Sequence, residues 1–145
     1  MGMHLESLGV RMERHCANAL KVAQWLSADP RVSWVSFPGL EGDKYHALAE
    51  KYMPNGTCGV ISFGVPGGRE KVSAFLDHLK MVSIATHVAD ARSCTLYPAG
   101  TTHRQLTEEQ LIEAGVGIDL VRLSCGIENA DDIIADLDQA LAAVQ

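Results

Sequence analysis

Apolar residues recur along the chain at helical spacing first and at strand spacing later. Leu8, Met12, Cys16, Ala19, Ala23 and Leu26 fall three or four positions apart, with Arg11, Glu13, Arg14, Lys21 and Gln24 on other faces. This predicts a long amphipathic helix from about Ser7, after an opening (1–5) with no clear pattern. Asp29-Pro30 ends the helix, because the residue before proline is pushed out of the helical region. Over 32–37, Val32, Trp34 and Ser36 alternate with Ser33, Val35 and Phe37, the period of a strand, which Pro38-Gly39 stops. A short helix is expected over 43–52, closed by Pro54-Asn55-Gly56, and then a strand over 57–65. Pro66-Gly67-Gly68 turns the chain into a helix with Val72, Phe75, Leu76 and Leu79 at i, i+3, i+4 and i+7. Strands over 82–86 and 93–96 follow, around a polar turn at Asp90. Thr107-Glu108-Glu109-Gln110 has the form of a capping box opening a short helix, and Gly115 is placed to end it.

The last third carries the strongest strand pattern. Leu120-Val121-Arg122-Leu123-Ser124-Cys125-Gly126-Ile127-Glu128 reads as a strand running into a glycine turn. Val121, Leu123 and Cys125 face one way, and Leu120, Arg122 and Ser124 face the other. Asn129 is expected to cap a final helix with Asp131 and Asp132 in its first turn, where the helix dipole favours negative charge. Its buried stripe is Ile133, Ile134, Leu137, Leu141 and Val144. The elements predict one α+β domain over 1–145: a mostly antiparallel sheet of four to five short strands with helices packed on one side. Burying the apolar face of strand 120–125 aims Arg122 the opposite way. A planar guanidinium suits a carboxylate held by two parallel hydrogen bonds. On spacing alone, an ion pair with Glu128 or Asp132, or plain solvation, is the better account of Arg122.

Composition narrows the function classes. The chain has 145 residues and a net charge of −6, which argues against nucleic acid as a partner. Its apolar runs are too short to span a membrane and no signal peptide opens it. Four cysteines, Cys16, Cys58, Cys94 and Cys125, form no CxxC pair and read as reduced thiols of a cytoplasmic protein. His15, His46 and His78 fall on helices without partners at i+4, so a polar helix face accounts for them, whereas His87 and His103 lie nearer Arg122's segment. No metal site is expected, since no ligand-spaced His or Cys pair exists. No serine stands in a GxSxG turn.

Three segments together resemble one family. Val121 to Glu128, followed by Asp131-Asp132-Ile133-Ile134-Ala135-Asp136-Leu137, is similar to the C-terminal signature of the Cys/Met-metabolism family of pyridoxal-phosphate (PLP) enzymes. Tyr97-Pro98-Ala99-Gly100-Thr101-Thr102-His103-Arg104-Gln105-Leu106 resembles that family's "HPASTTHxQL", and Ser83-Ile84-Ala85-Thr86-His87-Val88-Ala89-Asp90-Ala91-Arg92-Ser93 resembles its "SLATNVGDAxS". Their order and spacing resemble the O-acetylhomoserine sulfhydrylases of the family. The resemblance implies a fold-type I transferase and a site in which Arg122 grips the substrate's α-carboxylate with Ser93 beside it. Thr101, Thr102 and His103 would border the pocket. For the threonines alone, satisfying a local turn is the simpler account. Two positions depart from the motif: Tyr97 replaces the usual histidine and Gly100 a frequent serine.

The resemblance also implies what the chain lacks. PLP chemistry needs a Schiff-base lysine and a phosphate cup, but Lys21, Lys44, Lys51, Lys71 and Lys80 all fall on helix surfaces or ends in unrelated contexts. No catalytic residue is expected here and no PLP bound to this chain alone; the cofactor belongs to an N-terminal PLP domain. The implied whole enzyme is a cytoplasmic homotetramer in methionine biosynthesis. It replaces the acetate of O-acetyl-L-homoserine with sulfide or methanethiol, giving homocysteine or methionine. Opening on a long helix with no preceding strand suits a chain cut from something larger. The apolar Val10, Leu20, Val22 and Trp25 outside the helix's main stripe are then expected to be exposed. The rivals are a stand-alone amino-acid-binding regulatory domain anchored by Arg122, which would need fewer helices and a simpler order, and a pure assembly domain.

Overall fold

The computed structural model describes residues 2–144. A short helix, Gly2–Glu6 (α1), forms where the sequence showed no pattern, and the long amphipathic stretch becomes Leu8–Ala28 (α2). Asp29, at φ −86° and ψ 119°, leaves the helix just before Pro30. The rest of the chain runs Val35–Ser36 (β1), His46–Tyr52 (α3), Val60–Gly64 (β2), Gly68–His78 (α4), Ser83–Ile84 (β3) and Cys94–Leu96 (β4). A single 3-10 turn, Pro98–Gly100, leads to Glu108–Glu113 (α5), Leu120–Ser124 (β5) and Ala130–Ala142 (α6). The five strands lie in the order β1-β2-β5-β4-β3, antiparallel throughout except for β3 and β4, which run parallel.

β5 sits at the centre, and its alternation sorts the two sheet faces. Val121 and Leu123 pair with Phe63 and Ile61 of β2, and all four are fully buried. On this face Phe63 meets Phe75 of α4 edge-on, ring centroids 6.1 Å apart. Val22, Ala23 and Leu26 of α2 join Val72 and Leu76 of α4 and Ile133, Leu137 and Leu141 of α6 in the same core. Removing these side chains from water is the main stabilising term. The small Ala19, Ala23 and Ala140 within it leave room for helix backbones to come close.

Several boundaries and one face differ from the sequence expectation. β1 covers only Val35–Ser36 of the expected 32–37, because acidic side chains take over at its ends. Asp119 accepts the Trp34 Nε1–H at 2.9 Å and the Ser33 hydroxyl at 3.1 Å, and Asp43 accepts the Phe37 N–H at 2.9 Å. Asp43 also accepts the Tyr45 N–H, so α3 starts at His46 rather than at 43. The buried face of α2 is His15, Asn18, Ala19, Val22, Ala23 and Leu26. Leu8 is exposed and Met12 and Cys16 only half-buried. His15 is thus not on a polar helix face, and Val22 is in the core rather than on the surface. The cause is polar: His15 Nδ1–H donates to the Cys125 carbonyl at 2.7 Å, and Asn18 Nδ2 donates to the Gly126 and Glu128 carbonyls at 3.0 and 2.7 Å. These bonds fix the roll of α2 onto the end of β5.

Other local expectations hold. Thr107 and Gln110 form both halves of the capping box, Gly115 takes φ +72° after α5, and Asn129 Oδ1 accepts the Asp131 N–H at 3.1 Å. The four thiols are free, two of them buried and two half-buried.

Candidate functional site

Arg122 projects from the middle of β5 onto the face opposite α2, α4 and α6, with Ser62 of β2 and Leu96 of β4 as its cross-strand neighbours. Its Nη2 donates to the Thr86 carbonyl at 2.9 Å and reaches the His87 carbonyl at 3.5 Å. Nε is buried and has no partner among the described residues. No carboxylate pairs with it among those residues. The ion pairs are Lys21–Asp131, Arg31 with Asp29 and Asp138, His46–Glu50, and Asp90 with His87 and Arg92. A guanidinium held only by neutral carbonyls has no counter-charge beside it, and its buried N–H leaves a donor for an acceptor.

The ion pair with Glu128 or Asp132 that spacing allowed is therefore not formed. Glu128 turns to Ser93 instead: Oε1 accepts the Ser93 N–H at 2.6 Å and Oε2 accepts the Ser93 hydroxyl at 3.0 Å. The Ser93 oxygen in turn accepts the Gly126 N–H at 2.8 Å. Ser93 is 0% exposed, and its hydroxyl commits its one donor to Glu128 while accepting the Gly126 N–H. Nearby, Ser124 Oγ accepts the Ala89 N–H at 3.1 Å.

The 97–103 loop is shaped by its own polar atoms. Thr101 Oγ1 donates to the Tyr97 carbonyl at 2.6 Å, which is the turn-satisfying role, and the Thr102 hydroxyl lies 2.9 Å from His103 Nδ1. Tyr97 is buried and its hydroxyl donates to the Ile118 carbonyl at 2.8 Å; burial raises its pKa. His87 is exposed, with Nδ1 3.3 Å from Asp90 Oδ2. Asp90 is held below the usual carboxylate range by the Arg92 N–H first, then by His87.

Burial disfavours the thiolate at three of the cysteines: it pushes Cys125 up to about 12, and Cys16 and Cys94 are raised by the same cause. Among the described residues no group of three His, Cys, Asp or Glu side chains could hold a metal. The lysines are all exposed: Lys21 pairs with Asp131 at 2.6 Å, and Lys44 and Lys51 sit over the Tyr45 and Tyr52 rings. These residues do not fit a PLP site.

The family of Cys/Met metabolism PLP-dependent enzymes matches residues 2–142. An O-acetyl-L-homoserine sulfhydrylase of Leptospira meyeri is 48% identical over 138 residues, covering 94% of this chain and 31% of the relative. A homocysteine synthase of Schizosaccharomyces pombe is 50% identical over 137 residues, covering 94% and 32%. Among solved structures, an O-acetylhomoserine (thiol)-lyase of Campylobacter jejuni carrying a pyridoxyl-lysine phosphate superposes with a TM-score of 0.90 at 40% identity. That match covers 97% of this chain and 33% of the other. The chain spans about a third of the length of the curated relatives it matches.

Proposed function

This chain belongs to the Cys/Met metabolism family of PLP-dependent enzymes, and from that premise we propose that it is the C-terminal, substrate-side domain of an O-acetylhomoserine sulfhydrylase. The whole enzyme exchanges the acetate of O-acetyl-L-homoserine for sulfide or methanethiol and releases homocysteine or methionine. The cofactor and the residue that moves the proton come from a PLP-binding domain partnered with this one. The assembled enzyme is a cytoplasmic homotetramer in methionine biosynthesis. The names of the relatives support the substrate, and the lack of any helix long and apolar enough to cross a membrane among the described residues is consistent with the location.

The observation that carries this reading is the state of Arg122: two carbonyls hold it, and among the described residues no acid neutralises it and its buried Nε has no partner. Such a fork can accept an α-carboxylate with two parallel hydrogen bonds and so fix how the amino acid enters the site. Thr101, Thr102 and His103 border that entrance without bonding to the ligand carboxylate. In the PLP-loaded enzyme, Arg122→Lys keeps the charge and loses the fork. A charge-assisted hydrogen bond contributes roughly 1.5–3 kcal/mol, so kcat/KM for O-acetylhomoserine is expected to fall about tenfold to a hundredfold. Arg122→Ala falls further. Kinetics of Arg122→Ala within twofold of the parent refute the assignment.

A further inference from the structure

We propose that Glu128 and Ser93 are positioning residues for Arg122: clamped on each other, they lock the 85–93 loop that aims the guanidinium and keep the Glu128 carboxylate from pairing with it. The proposal rests on the reading of Arg122 as the carboxylate anchor and assigns the parts that make it one.

Arg122 is held by the carbonyls of Thr86 and His87. The direction of its free N–H groups is therefore only as well defined as the loop carrying those carbonyls. That loop joins two parallel strands, β3 and β4, without the helix that usually makes such a crossover. Its residues Thr86 to Ala89 are exposed, so apolar packing does not fix it. Polar ties do. Ser93 at its end gives both its N–H and its hydroxyl to Glu128 and takes the Gly126 N–H. Ala91 accepts the Ile127 N–H at 2.9 Å. Ala89, at φ +56° the one non-glycine residue with positive φ among those described, gives its N–H to Ser124. The strained conformation persists because its surroundings over-determine it.

The turn that receives these bonds is itself anchored. His15 and Asn18 of α2 hold the carbonyls of Cys125, Gly126 and Glu128. A Cβ on Gly126 would lie 2.5 Å from both the Ala91 oxygen and the Ser93 nitrogen; only glycine lets the loop settle onto the turn. The chain of support runs from α2 to the 125–128 turn, through Glu128 and Ser93 to the loop, and from the loop to Arg122. Glu128 is also the acid that sequence spacing offers to Arg122 as an ion-pair partner. With both its oxygens taken by Ser93, it leaves the fork open.

Two measurements test this. In the 145-residue chain, hydrogen exchange of the Ala89 amide is read in Glu128→Gln and in Ser93→Ala. Ala89 gives its N–H to Ser124 rather than to either residue, so its amide reports on the loop. It is expected to exchange at least about tenfold faster in both variants, with the β2–β5 ladder amides unchanged. Unaltered Ala89 exchange overturns the proposal. Ser93→Ala keeps the Glu128 side chain and carries the test where Glu128→Gln does not fold. In the PLP-loaded enzyme containing this chain, the same variants are expected to raise KM for O-acetyl-L-homoserine about tenfold while kcat stays within about threefold, a split that general loosening of the fold does not give. In an Arg122→Ala background they are expected to add less than about twofold, because residues acting through one group do not sum. Multiplicative effects overturn the positioning role. If Arg122→Ala leaves KM unchanged while Ala89 still loosens, the anchor reading fails and the brace itself survives.

Discussion

Tyr97 and Gly100, the two positions that depart from the family motif, are one change at the scale of residues. A Cβ on Gly100 would lie 2.5 Å from Cδ1 and 2.7 Å from Cε1 of the Tyr97 ring. The ring cannot swing aside: it is 4% exposed and its hydroxyl is tied to the Ile118 carbonyl. Tyrosine at 97 therefore excludes any side chain at 100, and the loop bearing Thr101, Thr102 and His103 is shaped by both. Overpacking of this kind costs roughly 1–3 kcal/mol, so Gly100→Ser is expected to destabilise the chain by that amount while Tyr97 is present. In a Tyr97→His background the same substitution should cost distinctly less, with a coupling of about 1 kcal/mol. Denaturant unfolding of the four proteins measures it, and additive losses show that the two positions do not compete for space. Sequence comparison alone marks both departures as doubts about the loop; only the ring's placement shows that each accounts for the other.

Elements specified by local pattern were legible before any coordinates. The apolar spacing of α4, the capping box of α5, the Asn129 cap of α6 and the alternation that turns Arg122 away from the core all follow from side chains within a turn or two. What stayed hidden is polar and long-range: His15 on Cys125, Ser93 on Glu128 and Asp136 on the entry to β3. Their partners are mostly backbone groups tens of residues away, and an N–H or a carbonyl has no signature in sequence. Asp136 lies on the inner side of α6, where a helical-period reading expects an apolar residue. Its carboxylate accepts the N–H groups of Lys80, Met81 and Val82 at 2.8, 2.9 and 2.9 Å. Burial alone raises its pKa, but the three N–H donors outweigh burial and the net shift is downward. A lowered folded-state value means that the stabilisation is in place above the ordinary aspartate pKa, about 3.9, and is lost as pH falls through the folded value. Asp136→Asn is expected to cost roughly 1.5–3 kcal/mol at neutral pH and to flatten the acid limb of the stability curve. Equal losses for parent and variant between neutral pH and pH 3 contradict this account of the α6–β3 junction.

For the whole molecule, the distribution of apolar surface decides how the chain behaves alone. Sequence reasoning expected Val10, Leu20, Val22 and Trp25 to be exposed; Val22 is instead in the core and Trp25 half-buried, because His15 and Asn18 set the roll of α2. Val10 is 74% exposed, and Leu5 and Leu8 beside it are exposed as well. A second cluster lies where α2 meets α3. Leu20 and Met53 are exposed at a cavity of about 380 Å³, whose walls include Cys16, Ala17, Phe37 and Ala49, and Leu48 and Tyr52 of α3 are exposed as well. Apolar area open to water on this scale favours association, and a net charge of −6 opposes it only weakly once salt screens it. The isolated chain is therefore expected to sediment as dimers or larger species at micromolar concentration and physiological salt, and to bind a dye that fluoresces on apolar surface. Leu20→Glu together with Met53→Glu puts like charges on both walls of the cavity while leaving the core cluster intact. The pair is expected to shift the chain towards monomer and to reduce dye binding without loss of helix content. A parent chain that is monomeric across a hundredfold range of concentration and does not bind the dye would show that these side chains cover one another well enough to need no partner.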